Sequence, residues 1–293
     1  MPRARVNSAV ELEYEEFGTG EPMVLIMGIG AQMIVWRTEF CQQLADLGFR
    51  VIRFDNRDVG LSSKLRGQRA PSFYSALGRR LVGASVKSPY TLLDMADDVA
   101  GLLDALGIER AHVAGVSLGG MIAQTFAIAH PHRARSVASI MSTTGELRYS
   151  MPTPNALRAL LGKPARTAQD AVDNARLFYS TCGSKGFDID WEWTEKLAVQ
   201  SFERCYYPAG FLRQFSALMA TPTRGEALRF VRAPTAVVHG SDDNLIPPAG
   251  GRATARAVPE ASFHLIEGMG HDMPRGAWPQ IHQVLSDNAA RAR

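Results

Sequence analysis

The sequence predicts an α/β fold, a mostly parallel doubly wound sheet with an inserted helical cap, and three observations carry that reading. Apolar runs of strand length alternate with amphipathic stretches of helix length over residues 10–145. The alternation stops between about 146 and 225, where the text is helical and Pro152, Pro154, Pro164 and Pro208 act as breakers. It resumes at Thr235 and ends in a final helix from about Trp278. Strands joined by helices imply parallel neighbours, and such a sheet binds its ligands at the carboxyl ends of its strands. The expected division is a core of residues 1–145 and 226–293 with a cap of 146–225.

Taken in order, Val10 to Phe17 alternates apolar and acidic residues as a half-buried antiparallel strand does, and is expected at the sheet edge. The turn Gly18-Thr19-Gly20 leads into the wholly apolar Met23 to Met27, a central strand. Trp36 to Leu47 reads as an amphipathic helix, Arg50 to Asp55 as a buried strand, and Leu92 to Leu106 as a helix. Ala111 to Val116 is a strand that passes within a few residues into the helix-forming Met121 to Ala127. After a helix end near Pro131, strands follow at Ser136 to Met141, Thr235 to His239 and Ser262 to Ile266. The cap is rich in rings: Phe178, Tyr179, Trp191, Trp193, Phe202, Tyr206, Tyr207, Phe211 and Phe215. Aromatic residues at helical spacing usually pack together, so most are expected in the cap's own small core and a minority toward a cleft.

Bulk properties exclude several classes. A chain of 293 residues can bury one large core, and 46% apolar with 21% charged residues is ordinary for a globular protein. No run approaches the roughly 18 apolar residues of a membrane span. The start, Met1 to Asn7, has no apolar core of a signal peptide, so a cytoplasmic location is expected. A net charge of +3 with scattered arginines argues against nucleic-acid binding. Cys41, Cys182 and Cys205 are odd in number and lack metal-ligand spacing, which suits buried or free thiols; no metal and no organic cofactor is expected.

The chemistry centres on Gly115-Val116-Ser117-Leu118-Gly119, a G-x-S-x-G at a strand-to-helix turn. That turn places a serine hydroxyl at the tip of the sheet, and glycines flank it because a Cβ would strike the neighbouring chain. An activated serine needs a base, and the base needs a carboxylate to fix its tautomer. Of seven histidines, His112, His130, His132, His264 and His282 lie at the wrong end of a strand, past a helix terminus, within a strand or on the last helix. His239 and His271 remain, and His271 sits in the glycine-rich loop Gly268-Met269-Gly270-His271 directly after the last strand, where an imidazole can reach over the sheet edge. The preceding strand runs into Asp242 and Asp243, two adjacent carboxylates of which one can face the imidazole.

The order Ser117, acid, His271 and the text around it resemble the α/β-hydrolase fold family across nearly the whole chain. His239-Gly240-Ser241-Asp242-Asp243 is similar to the family's H-G-x-x-D loop, which implies Asp243 as the acid; Asp55-Asn56-Arg57 resembles the turn after its fourth strand. Met27-Gly28-Ile29-Gly30 and Tyr207 to Gln214 resemble capped carboxylesterases akin to aclacinomycin methylesterase. The resemblance implies a catalytic Ser117, Asp243 and His271, with the backbone amides of Ile29 and Leu118 as the oxyanion hole. It departs from the family at Met27, where many members carry histidine, and at Asp58-Val59-Gly60, where many carry Gly-His-Gly. The expected function is hydrolysis of small-molecule carboxylic esters with short to medium, fairly apolar chains. A lactonase or carbon–carbon bond hydrolase would use the same residues, and a low-turnover ligand receptor would share the fold. Hydroxynitrile lyases of the fold add a pocket lysine, for which Lys163, Lys185 and Lys196 are the cap candidates.

Overall fold

The computed structural model describes residues 2–292. An eight-stranded sheet runs in the order β1-β2-β4-β3-β5-β6-β7-β8. Its strands are β1 (Arg3–Arg5), β2 (Glu11–Phe17), β3 (Glu21–Ile26), β4 (Phe49–Phe54), β5 (Ala111–Val116), β6 (Ala134–Ile140), β7 (Thr235–Gly240) and β8 (Ser262–Ile266). Pairing is antiparallel between β1 and β2 and between β2 and β4, and parallel from β4 to β8. The Glu11–Phe17 strand is therefore not the edge. Arg3–Arg5 covers it, Ala4 opposite Leu12, in a piece of three residues too short to show a period in sequence.

Helices clothe both faces. α1 (Thr38–Asp46) and the final helix, numbered α11 (Trp278–Ala290), pack on one side, where Phe40, Leu44, Ile281 and Leu285 meet Leu25, Val51, Val116 and Val238. On the other, α3 (Leu92–Ala105) and α4 (Leu118–Ala129) bury Leu92, Val99, Ile122 and Phe126 against Val24, Ile52 and Val113. The helix read from Trp36 begins only at Thr38; Met33–Val35 is a 3₁₀ turn and Trp36 packs beneath the helix, not on it. Two helices escaped the sequence reading, α2 (Phe73–Leu81) and α10 (Pro248–Ala257), the latter opened by a proline at its first turn.

Between β6 and β7 the chain leaves the sheet for α5 (Pro154–Leu161), α6 (Ala168–Cys182), α7 (Trp191–Arg204), α8 (Pro208–Ala220) and the short α9 (Gly225–Leu228). Side-chain caps start them: Thr153 accepts from Ala156 N–H, Thr167 forms a capping box with Asp170, and Asp190 accepts from Trp193 N–H. Buried ion pairs tie this insertion to the sheet. Arg204 of α7 meets Asp55 at 2.6 Å, and Arg213 of α8 meets Asp58 through both carboxylate oxygens at 2.7 and 2.8 Å. Among the described residues no helix is long and apolar enough to cross a membrane, and no group of three or more His, Cys, Asp or Glu could hold a metal.

Candidate active site

β5 is buried along its whole length and delivers Ser117 to the carboxyl edge of the sheet. There the serine adopts φ 55°, ψ −119°, a conformation that costs a non-glycine residue about 1–3 kcal/mol. The surroundings hold it: Ser117 N–H donates to Ile140 O at 2.9 Å, and its carbonyl accepts from the Ser142 hydroxyl at 2.8 Å. The flanking glycines are a steric necessity. A Cβ on Gly115 would stand 2.1 Å from Gly119 O, and one on Gly119 would stand 2.1 Å from Ile26 O.

His271 follows β8, and its Nδ1 lies 2.7 Å from Asp243 Oδ2. Oδ1 of the same carboxylate accepts the N–H groups of Leu245 at 3.0 Å and Ile246 at 2.9 Å, so both oxygens are aimed. Burial pushes the Asp243 carboxyl up, but His271 and His239 together hold it well below the usual carboxylate range. Asp242 does not meet the imidazole; it is half-exposed and accepts from the Ser241 hydroxyl at 3.0 Å. His239 is fully buried, its Nε2 bonded to Ile246 O at 2.8 Å and 3.4 Å from Asp243 Oδ2, so it supports the acid from behind and has no route to a ligand. Ser117 and His271 face the same cavity without a direct hydrogen bond, a contact that commonly tightens only when substrate is bound.

The insertion grips the histidine loop. Cys182 O accepts His271 N–H at 2.6 Å, the Ser184 hydroxyl accepts Gly270 N–H at 2.9 Å and donates to Asp272, and Gly186 N–H donates to Gly268 O at 2.9 Å. Gly186 and Gly268 touch so closely that a Cβ on the first would stand 2.7 Å from Cα of the second. Opposite Ser117 runs the loop after β3, where a Cβ on Gly28 would lie 3.3 Å from Ser117 Cβ. In this loop Gly30 N–H donates to Gln214 Oε1 and Ala31 N–H to Gly28 O, while Ile29 N–H has no partner among the described residues. Leu118 N–H, at the first position of α4, is likewise unspent, as the opening amides of a helix are.

These groups open onto a cavity of about 1600 Å³ between the sheet edge and the insertion. Every cap ring named from the sequence except Trp191 lines it, which overturns the expectation that most would form a separate core. The reason is that the insertion has little interior of its own. Its buried apolar residues join the main body, Phe215 with Phe73 and Ala76, Leu197 with Met33 and Ile34. Lys163, Lys185 and Lys196 are all exposed; the first two stand on the lining of the cavity and Lys196 does not. Cys41 and Cys182 are buried, and burial pushes both thiols up to about 12. The sequence reading missed Ser184 and Gln214 as parts of the site's support, because a buried polar side chain in a helix or loop carries no periodic signal; His239, left beside His271 as a candidate base, lies in β7 behind the acid instead.

A family model described as alpha/beta hydrolase fold matches residues 21–274. Rhodomycin D methylesterase DnrP of Streptomyces peucetius is 26% identical over 98% of this chain and 96% of its own. The 2-hydroxy-6-oxononadienedioate/2-hydroxy-6-oxononatrienedioate hydrolase 2 of Pseudomonas putida is 25% identical over 89% of this chain and 85% of its own. The enol-lactonase of Burkholderia xenovorans LB400 superposes with a TM-score of 0.72 at 23% identity, covering 99% of this chain and all of that one, a likeness of fold.

Proposed function

Since this chain belongs to the α/β-hydrolase fold family, we propose that it is a serine hydrolase of carboxylic esters, working through an acyl-enzyme. The observation that carries the reading is a strained Ser117 on the wall of a cavity shared with His271, whose Nδ1 is held at 2.7 Å by a buried Asp243. Ser117 Oγ attacks the ester carbonyl as His271 Nε2 takes its proton. The resulting oxyanion is bound by the amides of Ile29 and Leu118, which have no partner among the described residues. His271 returns the proton to the departing alcohol, and water, activated by the same imidazole, releases the acid and restores Ser117. Asp243 stabilises the imidazolium in both halves and holds the proton on Nδ1, leaving Nε2 free to accept.

Residues 146–225 act as a cap that bounds the acyl site. A cavity of about 1600 Å³ exceeds the roughly 300–1000 Å³ of common small-molecule sites, and its lining of rings and aliphatic side chains suits apolar acids, the methyl esters of ring systems among them. The likeness to a methylesterase supports that class. The test is a panel of p-nitrophenyl esters of graded length, methyl esters of polycyclic acids, and lactones, read for a burst of alcohol equal to the enzyme present. Turnover of esters with a burst supports the reading. Preference for lactones, or cleavage of a carbon–carbon bond beside a ketone, would assign the same residues to those reactions, and binding without turnover would make the protein a receptor.

A further inference from the structure

Gln214 belongs to the inserted helix α8, but its side chain bonds outside the insertion. It is fully buried, its Oε1 accepts Gly30 N–H at 2.8 Å, and its Nε2 donates to Arg57 O at 2.9 Å. The amide has one workable orientation, since an N–H faces one end and a carbonyl the other. The Arg57 end is itself anchored. Arg57 is locked by a buried pair with Asp98, Nη2 to Oδ1 at 2.7 Å, and Asn56 from the same turn donates to Met27 O at 2.9 Å. The loop from Met27 to Gly30 is thus held at one end by the sheet and at the other by the cap.

The grip decides which amide is free. Gly30 sits at φ +67° with its N–H consumed by Gln214, and a Cβ there would stand 2.9 Å from Phe211 Cδ2, on the same helix as Gln214. With Gly30 N–H turned toward the cap, the preceding amide, that of Ile29, is left without a partner among the described residues, in the loop that runs beside Ser117.

We propose that Gln214 is a positioning residue for the reaction: from the cap it fixes the loop that presents Ile29 N–H to the oxyanion. The catalytic consequence rests on the serine-hydrolase reading above; the mechanical one does not. The cap then contributes to the transition state as well as to the shape of the acyl site, and its seating on the sheet is a condition for full activity.

The experiment compares the full-length wild type with Gln214→Met, which keeps the side-chain length and removes both hydrogen bonds. In wild type, hydrogen exchange read residue by residue should show a protected Gly30 amide beside a freely exchanging Ile29 amide. Equal, rapid exchange at both overturns the proposal without recourse to any variant or substrate. In Gln214→Met, exchange at Gly30 should accelerate and kcat should fall about tenfold to a hundredfold, less than the loss of a whole oxyanion donor, with KM within about twofold. Affinity for a trifluoromethyl ketone, which forms a tetrahedral adduct with the serine, should fall by the same factor as kcat. A melting temperature that drops while kcat and ketone affinity stay at wild-type values would show a purely structural residue. Wild-type Ser117 that resists a fluorophosphonate would sink the hydrolase reading instead, and the exchange pattern would still decide the role of Gln214.

Discussion

Asp243→Asn changes one atom, and the hydrogen bonds around the carboxylate dictate the outcome. Oδ1 accepts two backbone N–H groups, from Leu245 and Ile246, at 3.0 and 2.9 Å. The amide oxygen of asparagine must remain there, so its NH₂ takes the place of Oδ2 and faces His271 Nδ1 across 2.7 Å. Two donors cannot share that contact. Nδ1 gives up its proton and accepts, the proton moves to Nε2, and the nitrogen that should receive the Ser117 proton is already occupied. By analogy with the same change in serine proteases, kcat should fall by up to about 10⁴-fold, or about 5 kcal/mol of transition-state stabilisation. Asp242→Asn keeps an acceptor for Ser241 at a half-exposed position and should change neither kcat nor stability beyond about 0.5 kcal/mol. Both variants are assayed on one p-nitrophenyl ester across pH, with melting curves run in parallel. A severe loss in Asp242→Asn beside a nearly normal Asp243→Asn would refute the reasoning.

Further outcomes are equally specific. Ser117→Ala and His271→Ala should each abolish all but a trace of turnover, and the double variant should be no slower than either, because the two act as one unit; multiplying losses would contradict it. Hydrolysis should fall for long fatty chains with no rise in rate above the micelle threshold, since the cavity is bounded by the inserted helices; activation on a triglyceride emulsion would contradict a fixed acyl site. Stability should decline in acid through His282, whose buried Nε2 has no partner among the described residues and whose imidazole is pushed down by burial to about 4. The unfolded chain binds that proton near pH 6.5, so stability is full above this value, falls as pH drops toward about 4, and levels below, a loss of at most about 3 kcal/mol. His282→Leu should flatten the melting-temperature profile over that window, and an unchanged slope would remove His282 from the account.

What the sequence revealed is what repeats or what sterics compel. The βα alternation, the two elbow glycines and the glycine-rich loop before His271 are local signals, and each marks an element found in the structure. The elements it hid depend on partners far along the chain. Arg3–Arg5 becomes a strand only because Glu11–Phe17 lies beside it, and nothing in three residues announces that. The cap rings looked like a core because helical spacing reports that one face is buried and does not report against what. Ser184 and Gln214 act across 86 and 184 residues, on Gly270 and Gly30, separations at which pattern reading has no purchase.

The central claim is that Ser117 becomes covalently acylated with His271 as its base, and intact-protein mass spectrometry tests it most directly. Wild type treated with a fluorophosphonate should gain one adduct mass, mapped by peptide digestion to Ser117, while Ser117→Ala gains none and His271→Ala is labelled far more slowly. An unlabelled wild type that still hydrolyses esters, or an adduct mapped to any other residue, would contradict the account.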